Sequence, residues 1–313
     1  MAEPEMLLIE SATRLDQALV TAWPTLDRRQ IRAMVTGGGV LVNGERAQTV
    51  GQRLDPGDSL AVRLPAIAPL RVPQPPPGLA LSVVYEDDQV LVIDKPAGIA
   101  VRNSRRSGLS TVPQLLAARF PERAHIGGVG RAGVVTSLGD DESGLMLVAK
   151  DEAAYRVLRH LVKHQRVQET YTALVEGRLR GEFTIDQAIG NAKRVRERLT
   201  VSREGRPAVT YVKGQQHLKE SGRDYTVVLV RPQTARLHQI RLHLAWYGFP
   251  IVGDRVYGTK RQAVLPDRIF LHLSEIRFPH PVTDLELRVE SQLSPELFSL
   301  LTYMRRPKSA ASS

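Results

Sequence analysis

Apolar positions recur every three to four residues between Arg14 and Trp23, where Leu15, Ala18, Leu19 and Ala22 share one side, and this spacing predicts an amphipathic helix. A second helix is expected from about Thr25 or Asp27, with Ile31, Met34 and Val35 turned inward and Gly37-Gly38-Gly39 ending it. The period then changes. Val40-Leu41-Val42 reads as a strand, Asn43-Gly44 as a two-residue hairpin turn, Asp55-Pro56-Gly57-Asp58 as a second turn, and Ser59 to Leu64 as an alternating strand. Residues 12–64 thus form a small module. Residues 65–78, centred on a PQPPP run, are too rich in proline for a helix or central strand and read as an extended linker.

A larger body is expected over residues 79–304. Strands are predicted at Val83–Tyr85 and Val90–Ile93, followed by the tight exit Asp94-Lys95-Pro96-Ala97-Gly98, which should carry Lys95 toward a cleft. Thr111 to Phe120 reads as a helix. The stretch from Arg131 to Lys150 has an apolar strand (Val134, Val135), a polar loop dense in Asp and Gly, and a second apolar strand from Leu145 to Ala149. Two buried strands around an acidic loop place side chains at the floor of a cleft. Asp151 should cap a helix through His164, and Val167 to Gly177 alternates as a half-buried strand. Further strands are expected at 207–213 and 224–230, helical character from Ala235 to Tyr247, and a last helix from Ser294 to about Tyr303 before a disordered tail, 305–313.

Composition narrows the classes. A hydrophobic share of 42% and a charged share of 24% are ordinary for a soluble globular protein. Cysteine is absent, which excludes disulfides and thiolate metal sites. The chain lacks an apolar run long enough for a membrane span and a basic-then-apolar leader at its start, so a cytoplasmic protein is expected. The net charge of +10 points to a polyanionic partner. Residues 1–72 hold eight Arg against eight Asp and Glu, so the excess lies beyond them, with Arg194, Arg196, Arg198, Arg203 and Arg206 crowding one segment. The glycines at 127, 128 and 130 lack the Lys-Ser/Thr of a phosphate loop. His160, His164, His243 and His272 do not fall at metal-ligand spacing, and Trp246 and Tyr257 are expected to pack in the core.

Three motifs carry a resemblance. Ser143, Gly144, Leu145, Leu147, Ala149 and Lys150, with Val135, Leu138 and Asp141, fall on V-H-R-L-D-x-D-T-S-G-L-x-L-x-A-K. Val167 to Gly177 resembles V-x-K-x-Y-x-A-L-V-x-G, with Tyr171 on its tyrosine and Glu169 where a base is usual. Pro232 to Gly258 resembles P-x-T-G-R-T-H-Q-I-R-x-H-L-x-x-x-G-x-P-I-x-G-D-x-x-Y-G, with Ala235 for Gly and Leu237 for Thr. These are motifs of the RluA-like RNA pseudouridine synthases. The order of the first module, with Arg14-Leu15-Asp16, Arg28 and Arg32, resembles the small alpha-L RNA-binding domain of ribosomal S-four type. The resemblance implies an α+β chain: an alpha-L module joined by the Pro-rich linker to a mixed, largely antiparallel β-sheet with flanking helices. It also implies RNA as partner, ribosomal RNA first, with neither cofactor nor metal. Arg14, Arg28, Arg29, Arg32, Arg194, Arg196, Arg198, Arg236 and His238 are the expected RNA contacts.

The family reaction detaches an RNA uridine from its sugar, rotates it and rejoins it through carbon, after the nucleotide has left the stack. Carried over, Arg241 is the partner of the catalytic Asp, Tyr171 the base-side residue and Ile240 an apolar wall. The Asp itself falls on Gly139, and the preceding His-Arg on Thr136 and Ser137. Glycine can neither attack nor ionise, and losing a sole nucleophile costs about 10⁴-fold or more. Isomerase activity is therefore expected to be lost or strongly impaired. The alternative is an active synthase with a displaced carboxylate from Asp140, Asp141 or Glu142, one of which is otherwise expected to neutralise Arg241. Asp140, next to Gly139 in what reads as an extended segment, should point away from the pocket.

Overall fold

The computed structural model describes residues 4–23, 26, 28–64, 81–101, 111–128, 130–192, 199–259, 264–265 and 268–306. The expected linker at 65–78, Arg194, Arg196 and Arg198, the tail from 307 and the side chains of Arg28 and Arg29 lie outside the described residues.

The first module begins earlier than the hydrophobic pattern suggests. Strand β1 (Glu5–Leu8) pairs antiparallel with β6 (Ser59–Val62), Leu7 opposite Leu60. Its run Met-Leu-Leu-Ile is apolar on both sides, so alternation could not reveal it. β2 (Thr13–Arg14) leads into α1 (Leu15–Ala22) and α2 (Arg28–Thr36), and the apolar sets read from the sequence bury Leu15, Ala18, Leu19, Ile31, Met34 and Val35. β3 (Val40–Val42) and β4 (Glu45–Arg46) flank Asn43 and Gly44, whose φ of 51° and 83° fit the hairpin turn that favours these residue types. The Asn43 side chain accepts from Ser59 N–H at 2.8 Å and donates to Asp58 at 2.8 Å, tying the hairpin to the second turn. The sheet order is β1-β6-β3-β4, and β5 (Arg53–Leu54) pairs separately with β2.

Then follow β7 (Ser82–Glu86), β8 (Val90–Lys95), α3 (Val112–Arg119) and β9 (Ser143–Ala149). Helix α4 (Glu152–Lys163) precedes β10 (Gln168–Glu176), β11 (Glu182–Asp186) and the short pair β12 (Ile189–Asn191) and β13 (Leu199–Val201). The rest comprises β14 (Val209–Glu220), β15 (Arg223–Pro232), α5 (Gln239–Trp246), β16 (Leu271–Pro279), β17 (Glu286–Glu290) and α6 (Pro295–Arg305). One sheet runs β11-β14-β15-β10-β16-β9-β8-β7, with β17 added to β16; the β16–β9 pairing is parallel and the others antiparallel. β9 is buried along its whole length, as expected of a strand covered on both faces. Among the described residues, no helix is long and apolar enough to cross a membrane.

Three expectations change. Val134 and Val135 do not form a strand; Val134 makes an isolated bridge to Val148, and Val135 N–H donates to Leu147 O at 2.9 Å. Helix α5 starts at Gln239, four residues late, because the Gln239 side-chain amide oxygen Oε1 accepts from the Thr234 hydroxyl (2.8 Å) and the Arg236 N–H (3.2 Å) and holds the preceding loop out of the helix. α6 continues through Arg305, whose guanidinium donates to Gln216 at 2.7 Å, so Arg305 belongs to the folded body and not to a tail.

The parallel junction depends on one glycine. Gly144 has φ +118°, and a Cβ there would lie 2.3 Å from Leu273 O on the adjoining strand. Gly144→Ala is expected to destabilise the protein by about 3 kcal/mol, from backbone strain plus forced separation of β9 and β16. Urea unfolding checks this, with a lowered midpoint as the expected result.

Candidate active site

The loop from Thr136 to Glu142 is held from three sides. The buried Thr136 hydroxyl accepts from Leu147 N–H at 2.9 Å, fixing the loop to β9. Gly98 N–H donates to Asp140 O at 2.8 Å, and Lys95 Nζ donates to Pro96 O (3.0 Å), Ile99 O (2.9 Å) and Asp140 O (3.2 Å). Lys95 is fully buried, so it braces the loop from beneath and does not project into the cleft as the sequence suggested. Burial lowers its pKa to about 8, against the opposing pull of Glu142 and Asp140.

The loop itself turns back. Glu142 N–H donates to Gly139 O at 3.2 Å, and Gly139 N–H donates to Glu142 Oε2 at 2.9 Å. The segment is therefore a tight turn, which brings position 142 onto position 139, a relation that the extended reading of the loop did not contain. Asp140 and Asp141 are exposed, while Glu142 is half-buried.

Opposite the loop, the first turn of α5 presents Arg241. Its Nε and Nη2 grip Asp254 Oδ2 and Oδ1 at 2.8 and 2.7 Å, a two-pronged pairing suited to the planar guanidinium. Asp254 also accepts from the N–H groups of Val256 (2.8 Å) and Tyr257 (3.0 Å). Burial pushes the Asp254 carboxyl up, but Arg241 and the two backbone donors outweigh it and hold the carboxyl below its ordinary range. Arg241 is thus neutralised by Asp254 and not, as expected, by an acid of the 140–142 run. Its guanidinium lies 5.5 Å from the centre of the Tyr257 ring. His238, with a φ of 55° at the start of α5, reaches the Tyr257 hydroxyl at 3.1 Å; burial first, then Arg241, lowers its pKa.

β10 supplies the third wall. The buried Tyr171 hydroxyl donates to Glu169 Oε2 at 2.9 Å. Burial, then the charges of Glu169 and Glu142, drive the tyrosine pKa well above its usual value. Burial also pushes Glu169 up to about 7, opposed by the Tyr171 bond and reinforced by Glu142. Glu142 is itself raised by burial, with the Gly139 N–H, Arg241 and Lys95 acting the other way. Two acids with raised pKa values, Glu142 and Glu169, therefore lie near enough to Tyr171 and to each other to shift one another's protonation.

The chain matches the family model described as RNA pseudouridylate synthase over residues 89–246, about half its length, and that of the S4 domain over 13–60. It is 33% identical over 298 residues to the uncharacterized RNA pseudouridine synthase YlyB of Bacillus subtilis, covering 95% of this chain and 96% of that one. The chain belongs to the RluA-type RNA pseudouridine synthases. It is also 30% identical to the ribosomal large subunit pseudouridine synthase D of Escherichia coli K12, over 93% of this chain and 90% of that protein. Among solved structures, the human RNA pseudouridylate synthase domain containing 1 aligns with a TM-score of 0.57 at 26% identity, covering 74% of this chain and 98% of that one.

Within this synthase fold, the structure gathers Tyr171, Arg241, Glu142 and Gly139, with Ile240 buried on the adjoining turn of α5. Asp140 is exposed; its carbonyl accepts from Lys95 and Gly98, and its charge acts on Lys95. Arg236 folds back, donating to Pro207 O at 3.1 Å and Ala235 O at 3.3 Å. Arg14 pairs with Asp16 at 3.0 Å, and Arg32 is exposed on α2. Trp246 is 51% exposed and does not pack in the core as expected; Tyr257 is half-buried against His238 and Arg241, inside the site. Asp254 has no assigned role in the sequence reading and Tyr257 only a core one, although both stand in the G-D-x-x-Y-G end of the third motif. Glu169 departs from the family pattern of the second motif, and spacing along β10 does not report its bond to Tyr171.

Glu169 gives a pH test. An acid whose folded-state pKa is raised contributes stability below the ordinary carboxylate range and loses it as the pH rises through about 7. Glu169→Gln is expected to stabilise the protein at pH 8 by about 1 kcal/mol, discounted for partial solvent screening, and to change little at pH 4. Thermal unfolding at the two pH values reads the difference.

Proposed function

We propose that this synthase homologue binds structured RNA in the cytoplasm, ribosomal RNA first, and holds a uridine site in which isomerisation is lost or strongly impaired. The observation that carries this reading is Gly139 at the position where the family motif has its Asp, together with an Arg241 whose Nε/Nη2 edge is already engaged by Asp254. An absent nucleophile raises the barrier by about 5.5 kcal/mol, the equivalent of 10⁴ in rate. The exposure of Asp140 and Asp141, away from the buried Tyr171, supports neither as its replacement. Ribosomal RNA is favoured because a relative at 30% identity is named for the large ribosomal subunit. RNA contact through the S4-type module is supported by Arg14 and Arg32 on its surface, and Arg28 and Arg29 fall on the same helix, α2.

A second reading, an active synthase with a displaced carboxylate, is favoured by one observation: Glu142 Oε1 lies 2.9 Å from where a Cβ at position 139 would sit. Against it stand the Gly139 N–H that holds this carboxylate and the burial that favours its neutral, non-nucleophilic form. Incubation with ribosomal RNA transcripts separates the two. The expected result is no pseudouridine and no stable adduct with 5-fluorouridine-containing RNA, alongside RNA binding that weakens steeply with salt. Turnover by the wild-type protein that vanishes in Glu142→Gln would establish the second reading instead.

A further inference from the structure

A carboxyl group already fills the volume that an aspartyl side chain at position 139 needs. A Cβ on Gly139 would lie 2.9 Å from both Cδ and Oε1 of Glu142 and 3.2 Å from its Cγ, and real Cβ contacts essentially never fall below 3.0 Å. The backbone is no obstacle, since the φ of Gly139 lies outside the left-handed region. The obstacle is the Glu142 side chain, fixed by the Gly139 N–H at 2.9 Å. In the motif that this loop resembles, the two positions are Asp and Thr; here they are Gly and Glu. An acid has gone from one side of the turn and another has come to occupy the same space from the other side.

We propose that Glu142 is a second block on isomerisation, a positioning residue that excludes a working carboxylate from position 139 even when one is supplied there. The proposal rests on the reading that isomerisation is lost at Gly139. Glu142 can move, because its carboxyl is the end of a flexible side chain, but moving strips the Gly139 N–H of its acceptor. The groups facing it are Lys95 from β8, Glu169 and Tyr171 from β10, Arg241 from α5 and Asp254 from the loop after α5. Lys95 donates to three carbonyls and one edge of Arg241 grips Asp254, so both cations attract Glu142 without a direct bond to it, while Glu169 is a second acid beside it. Two carboxyls in this space share one proton and titrate as a pair, so an Asp at 139 is held partly neutral where the reaction needs it ionised.

The test uses the full chain and four variants, G139D, E142T, G139D/E142T and G139D/E142Q, with pseudouridine formation and 5-fluorouridine adducts read on ribosomal RNA transcripts, and thermal unfolding confirming that each is folded. Wild type and E142T are expected to be silent, and G139D/E142T to exceed G139D by about 10-fold or more. G139D/E142Q, which removes the charge and keeps the bulk, is expected to fall between them. The pH midpoint of G139D activity is expected above that of G139D/E142T, a shift that a purely structural role for Glu142 does not produce. Equal activity of G139D and G139D/E142T overturns the proposal, silence of both included. Turnover by the wild-type protein overturns the underlying reading of lost isomerisation, and with it the proposal, and is distinguished because it appears before any substitution.

Discussion

The two-pronged pairing of Arg241 with Asp254 is the interaction on which the rest of the site depends. A buried guanidinium without a carboxylate is strongly unfavourable, and removing one partner of such a pair costs about 3–5 kcal/mol. Asp254 is nearly inaccessible, and it is itself held by two backbone N–H groups of its own turn. The pair is therefore self-sufficient. An acid at position 139 is not required to keep Arg241 in place, so the loop could lose that side chain and the fold could keep its shape. This is consistent with a third motif that is nearly complete beside a first motif with glycine at 139.

The loop opposite shows the same independence. Its position is set by backbone and buried side-chain bonds, through Thr136, Gly98 and Lys95, none of which involves the side chain at 139. The consequence is electrostatic. With a glycine at 139, Glu142 at the end of the loop and Glu169 on β10, the site brings together two acids of raised pKa and a tyrosine that also resists ionisation.

Binding and chemistry separate in this molecule. The net charge of +10 lies outside the first 72 residues, where acids and bases balance, so the electrostatic attraction for RNA falls on the larger body. In the small module Arg14 is tied to Asp16, while Arg32 is exposed on α2.

The sequence by itself determined much of this. The helix periods of Leu15 to Ala22 and of Ile31, Met34 and Val35, the Asn43-Gly44 hairpin and the Asp151 cap all rest on local preferences, where neighbours in sequence decide the conformation. The three motifs carried the family and exposed the vacancy at 139. Tertiary structure alone decided the rest. Lys95 went under the loop because its three carbonyl acceptors come from two separate segments. Strand β1 was invisible because its partner lies some fifty residues away, as the Leu7–Leu60 register shows. The partner of Arg241 sits 13 residues on, across a turn, where spacing does not report distance. Glu142 met Gly139 because the loop folds back on itself where an extended segment was expected, and a single reversal of direction exchanges which side chains meet, an outcome that residue order alone does not encode.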